Sequence, residues 1–167
     1  MSHARFCVGR LLLAWLCLCF ARIAPGQQLQ LGTIAGAAGE WVTVPISFQA
    51  APGQELAAVQ WEMQIPSPLV FENERMVRQS LPVKEAGKSL TCLIAAKSPE
   101  GARLRCLVSG GQKPIPTGTM ALLTLKIPDG TRATKVRLRL ENALAVTRDL
   151  KQAPIGFAEA VVSIRAR

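Results

Sequence analysis

Between Lys135 and Glu141 the chain alternates without a fault. Lys135, Arg137, Arg139 and Glu141 are charged, and Val136, Leu138 and Leu140 between them are apolar. A helix would bring charge onto its apolar stripe within two turns, whereas a strand puts every second side chain on one face. This segment is therefore a half-buried strand with a mainly cationic outer side. Val42 to Phe48 repeats the pattern with apolar even positions, and Ala57 to Ile65 with apolar odd ones. Further strands are expected at Gln28–Ile34, Leu69–Phe71, Leu90–Ala96, Arg103–Val108, Met120–Ile127 and Gly156–Ile164, about nine in all. Turn residues separate them at Ala51-Pro52-Gly53, Ser98-Pro99-Glu100-Gly101, Ser109-Gly110-Gly111 and Pro128-Asp129-Gly130. Residues 72–88 read as a charged connection with room for one helical turn. Short strands with one apolar face each, and no sustained helical period, predict an all-β fold of two packed antiparallel sheets.

The N-terminus carries a different signal. Arg5 and Arg10 precede the apolar run Leu11 to Phe20, and Ala24-Pro25-Gly26 puts small residues ahead of Gln27. That is the layout of a secretory signal peptide over residues 1–26, leaving 27–167 as a single domain. The run falls short of the roughly 20 apolar residues that a membrane span needs. Leu16 and Leu18 precede Cys17 and Cys19, where a lipid-anchored cysteine would follow small residues. The expected destination is outside the cell or in a periplasm, with no stable membrane insertion once the leader is cut.

Processing also decides the chemistry. His3 is the only histidine, so the mature chain has none. Arg5, Arg10 and Arg22 leave with the leader and no acid does, which takes the net charge from +9 to +6. Of the cysteines, Cys92 and Cys106 remain, and an oxidising compartment favours their pairing. Ser98 to Gly101 fits a type I turn between two strands. Leu90, Cys92, Ile94 and Ala96 then share an inward face with Leu104, Cys106 and Val108. The two cysteines meet either directly opposite or one step along the diagonal, according to register. A bridge closing that loop would stabilise by about 3 kcal/mol in the chain-entropy view.

These residues exclude most catalysis. Without histidine there is no Ser-His-Asp or Cys-His arrangement, and two cysteines do not complete a zinc site. Asp129 and Asp149 sit in separate turns, so no calcium loop is present. Glu62, Glu72, Glu74, Glu85, Glu100 and Glu141 fall where solvated surface residues would, not as the facing pair that glycoside hydrolysis requires. No catalytic residue, metal or cofactor is expected, and the chain reads as a binding protein. Trp61 belongs to the apolar side of its strand. Trp41 starts its strand on the polar side, where it offers a sugar platform; direct carbohydrate binding through Trp41 is the alternative function.

Charge points elsewhere. Thr91, Leu93, Ala95, Arg103, Arg105 and Leu107 lie on the outer side of the hairpin, and Lys135, Arg137 and Arg139 on that of the later strand. If these strands share a sheet, the result is a flat basic face with apolar patches at Leu93 and Leu107. Such a face attracts an acidic protein or an anionic polymer. Export removes nucleic acid from consideration.

The order of pieces resembles the cohesin domain family. Gly39-Glu40-Trp41-Val42-Thr43-Val44-Pro45-Ile46 is similar to the family's opening G-x-x-V-x-V-P-V strand. Ala58 to Phe71 resembles the next strand and its turn, although Ile65-Pro66 replaces the family's Tyr-Asp. Thr117 to Ile127 is similar to the G-x-L-A-x-L-x-F-x-V strand, and Ala153 to Ile164 to the closing one. The resemblance implies a nine-stranded antiparallel β-sandwich with jelly-roll topology, related in shape to carbohydrate-binding modules of the cellulose-binding type. It implies a dockerin-like protein partner gripped by one sheet face, in the setting of polysaccharide breakdown. By position that face comprises Gln60, Glu62, Gln64, Leu93, Arg103, Arg105, Leu107, Arg137 and Arg139. The family's calcium belongs to the dockerin, so none is expected here.

Overall fold

Side chains that alternate in sequence become the two faces of strands in a β-sandwich. A computed structural model describes residues 26–165. The leader expected over residues 1–26, with Cys17 and Cys19, lies outside the described residues apart from Gly26. In chain order the strands are β1 (Gln27–Leu31), β2 (Ile34–Ala37), β3 (Trp41–Gln49), β4 (Leu56–Pro66), β5 (Val77–Gln79), β6 (Ser89–Ser98), β7 (Gly101–Ser109), β8 (Gly118–Lys126), β9 (Thr134–Thr147), β10 (Gln152–Ala153), β11 (Ile155–Phe157) and β12 (Ala160–Arg165). A 3-10 turn at Glu74–Met76 and a short helix α1 (Leu81–Glu85) lie between β4 and β6.

The first sheet runs β11-β1-β3-β8-β5 and the second β2-β12-β9-β4-β7-β6, with β10 beside β9. Leu29, Val44, Ile46, Phe48, Leu123 and Leu125 of the first sheet are buried in one core with Val59, Trp61, Met63, Ile65, Leu104 and Leu138 of the second. Burial of this apolar area is the main force holding the sheets together.

Where the strands differ from expectation, the reason is local. Gln28–Ile34 divides at Gly32, whose N–H donates to the Pro45 carbonyl at 2.9 Å. A Cβ there would stand 2.5 Å from Pro45 Cγ, so glycine lets the chain leave the first sheet and enter the second. Gly156–Ile164 divides likewise into β11 and β12, which pair in parallel with β1 and β2 respectively. Both ends of the domain thus close onto each other. Leu69–Phe71 makes only an isolated bridge, Val70 to Lys126, and residues 72–88 hold β5 and α1. A bulge in β6 between Ile94 and Ala96 sets Ala96 opposite Arg103 on the outer face, not in the core as expected.

Cys92 and Cys106 stand directly opposite each other on β6 and β7 and form a disulfide with a Cα–Cα distance of 4.1 Å. Replacing both by Ser should lower stability by about 2 kcal/mol, less than the entropy figure because the hairpin turn already restricts the unfolded loop. A shift in the urea midpoint measures it. An unchanged midpoint would show that the hairpin holds without the bridge.

Candidate functional site

The outer surface of the second sheet is built in rows by strand register. Leu144, Gln60, Leu107 and Thr91 form one row across β9, β4, β7 and β6. Glu141, Glu62, Arg105 and Leu93 form the next, and Arg139, Gln64, Arg103 and Ala96 the third. Arg137 and Lys135 extend β9 beside Val161 and Ser163 of β12. With strands about 4.8 Å apart, each row spans about 14 Å. Gln60, Glu62, Gln64, Leu93, Arg103, Arg105, Leu107, Arg137 and Arg139 therefore lie on one side of one sheet.

Glu62 departs from the solvated surface residue expected of it. It is only 4% exposed. Its Oε1 accepts from Arg105 Nε at 2.8 Å, and its Oε2 accepts from Asn142 Nδ2 at 2.9 Å. These bonds to the charged form, Asn142 first and Arg105 second, hold the carboxyl below its ordinary range against the opposing effect of burial. Asn142 meets Glu62 on the outer face, where its left-handed backbone, φ 49°, marks the irregularity at which β9 passes Glu62 and Gln60. Asn tolerates that conformation better than most residues do.

The irregularity also resets the alternation of β9. Beyond it Leu144 comes to the outer face and Ala145 goes to the core. Leu144 was missed in the sequence because strict alternation ended at Glu141; the only local signal was Asn142. With Leu93 at 48%, Leu107 at 38% and Leu144 at 39% exposed, one end of the face is apolar.

The other end is cationic, and by less than a count of arginines suggests. Arg105 is committed to Glu62, and Arg139 Nε lies 2.9 Å from Glu159 Oε1. Among the described residues Arg103, Arg137 and Lys135 have no carboxylate partner. These are the charges left for a ligand.

Lys88 ties together the segments at one end of these strands, where β4 and β6 begin and just beyond the end of β7. It is buried, and its Nζ donates to the carbonyls of Ala57 at 3.0 Å and Gly111 at 3.4 Å. Ala57 lies at a second register shift, where β4 begins. The ammonium thus satisfies a carbonyl left free by the strand irregularity, and burial lowers the Lys88 pKa.

Trp41 lies on the first sheet, away from this face. It is 47% exposed, and Lys126 Nζ stands 5.5 Å from its ring centroid. Lys126 also donates to the Gly39 carbonyl at 2.6 Å, so the cation is fixed against one side of the indole. Among the described residues no group of His, Cys, Asp or Glu is arranged to hold a metal ion. None of their helices is long and apolar enough to cross a membrane.

No protein-family model matches this sequence, and no curated protein matches it either. Solved structures do. A non-cellulosomal cohesin from the archaeon Archaeoglobus fulgidus superposes with a TM-score of 0.66 at 12% identity, covering 84% of this chain and 91% of that one. A type I cohesin–dockerin complex from Clostridium thermocellum gives a TM-score of 0.69 at 17% identity, covering 88% and 99%. The sixth cohesin of scaffoldin B from Acetivibrio cellulolyticus, in complex with a Cel5 dockerin, gives 0.70 at 14% identity, covering 84% and 100%. The chain has the cohesin fold.

Proposed function

We propose that this cohesin-like sandwich is a secreted, non-catalytic docking module. Its outer β9-β4-β7-β6 surface grips the acidic face of a protein partner. The observation that carries this reading is the set of cations without a carboxylate partner among the described residues, Arg103, Arg137 and Lys135, beside the exposed Leu93, Leu107 and Leu144. Exposed leucines supply apolar area that drives association, and free cations select the partner and speed the encounter. A neutral polysaccharide would use neither. Dockerins stand first among candidate partners because several of the solved neighbours are complexes with them. On that reading the module holds enzymes or scaffolds together during polysaccharide breakdown.

The test is capture from a panel of dockerin modules and from the secreted acidic proteome. Arg103→Glu with Arg137→Glu should weaken binding at least about tenfold, mainly through slower association and with a reduced salt dependence. Trp41→Ala should leave it unchanged. Equal affinity for wild type and the double variant would rule out this face.

A further inference from the structure

At the cationic end of the docking face, β9 and the turn that leaves β4 at Pro66 border a groove of about 390 Å³. Lys135, Arg137, Arg139, Gln64, Ser67 and Thr134 line it, with no carboxylate among its lining residues. Arg139 is engaged by Glu159, while Lys135 and Arg137 have no carboxylate partner among the described residues. A second groove of about 360 Å³ shares Gln64 and Pro66, and Arg103 and Glu100 both line it without forming an ion pair. Of these two grooves the first has the larger excess of positive charge among its lining residues.

We propose that the Lys135/Arg137/Arg139 groove is a carboxylate subsite for an extended acidic segment of the partner, with Asp or Glu at every second residue. This deepens the docking reading and rests on it. Lys135 and Arg137, which have no carboxylate partner among the described residues, occupy alternate positions of one strand, with Arg139, paired to Glu159, next along it. The Cα atoms of neighbouring cations are therefore about 6.7 Å apart. An extended peptide presents its own alternate side chains at the same interval, so successive carboxylates meet successive cations in register. Arg137 presents a planar fork suited to a carboxylate, and Lys135 a point charge beside it. Ser67 and Thr134 are among the lining residues, and their hydroxyls can donate to or accept from a peptide backbone.

The probe is a synthetic ten-residue peptide alternating Asp and Thr, titrated calorimetrically into the secreted chain at low and moderate salt. A galacturonate oligomer of equal charge is the comparison. The peptide should bind more tightly than the oligomer. Lys135→Glu with Arg137→Glu should reduce its affinity at least tenfold at an unchanged melting temperature. Tighter binding of the oligomer, or a peptide affinity that the double variant does not alter, overturns the subsite. Failure of every dockerin and of the secreted acidic proteome to bind, with the peptide still held, removes the docking reading and keeps the subsite. Dockerin capture that survives Lys135→Glu with Arg137→Glu keeps the docking reading and removes the subsite.

Discussion

Replacing Arg105 by Leu should destabilise the fold by about 3 kcal/mol, because it strands a buried carboxylate. Glu62 is 4% exposed and keeps its charge through two partners, Arg105 and Asn142. Leucine is shorter and apolar, so it neither reaches nor neutralises the carboxylate, leaving the Asn142 amide as its side-chain support. The figure sits at the low end for a broken buried pair because the Arg105 side chain is 49% exposed, so water reaches part of the site.

The pH dependence gives the sign. Glu62 is depressed in the folded state, so its contribution is present above the ordinary carboxylate range and is lost as pH falls through its folded value. The gap between wild type and Arg105→Leu should therefore be widest at neutral pH and narrow in acid. Adding Glu62→Gln to Arg105→Leu should recover most of the loss, since a neutral amide needs no cation. Urea unfolding at two pH values measures all of this. A loss below 1 kcal/mol, or no recovery with Gln, would show that Glu62 is not held by charge pairing.

Gly101→Ala should cost a similar amount, about 3 kcal/mol or more, from backbone strain joined to overpacking. Gly101 opens β7 with φ 147°, a conformation L side chains rarely adopt. A Cβ there would come within 2.2 Å of the Ile65 carbonyl oxygen and 2.9 Å of Pro66 Cα. Both are backbone atoms of the neighbouring strand and have no rotamer to escape into. Relief would require β7 to move away from β4 two residues before Arg103, so the outer surface of the second sheet should be disturbed as well. Glu100→Ala, next to it in the turn, should change stability by less than about 0.5 kcal/mol. Comparable melting temperatures for the two variants would contradict the close approach.

Much of the fold was legible because the apolar period is direct physics. The strands of Lys135–Glu141, Val42–Phe48 and Ala57–Ile65 appear where alternation placed them, and Trp61 is buried as its phase required. The illegible parts are those where one residue breaks the phase. Asn142 hides Leu144, the shift after Ile94 turns Ala96 outward, and Gly32 splits one apolar run between two sheets. Pairing of the chain ends leaves no local trace, since β1–β11 and β2–β12 bring together residues more than a hundred positions apart. At the candidate site, sequence placed the cations on one side but not their neutralisation. That Glu62 takes Arg105 and Glu159 takes Arg139 follows from register and from the β11–β12 break, neither of which composition reveals.

Chemical-shift mapping of the isotope-labelled domain, titrated with the panel of dockerin modules, is the most direct measurement. Docking on the second sheet requires the largest changes at Leu93, Arg103, Leu107, Arg137 and Leu144, with Trp41, Thr43 and Lys126 still. Changes centred on Trp41, or a panel in which no module disturbs the leucines and free arginines, would take the partner off this face.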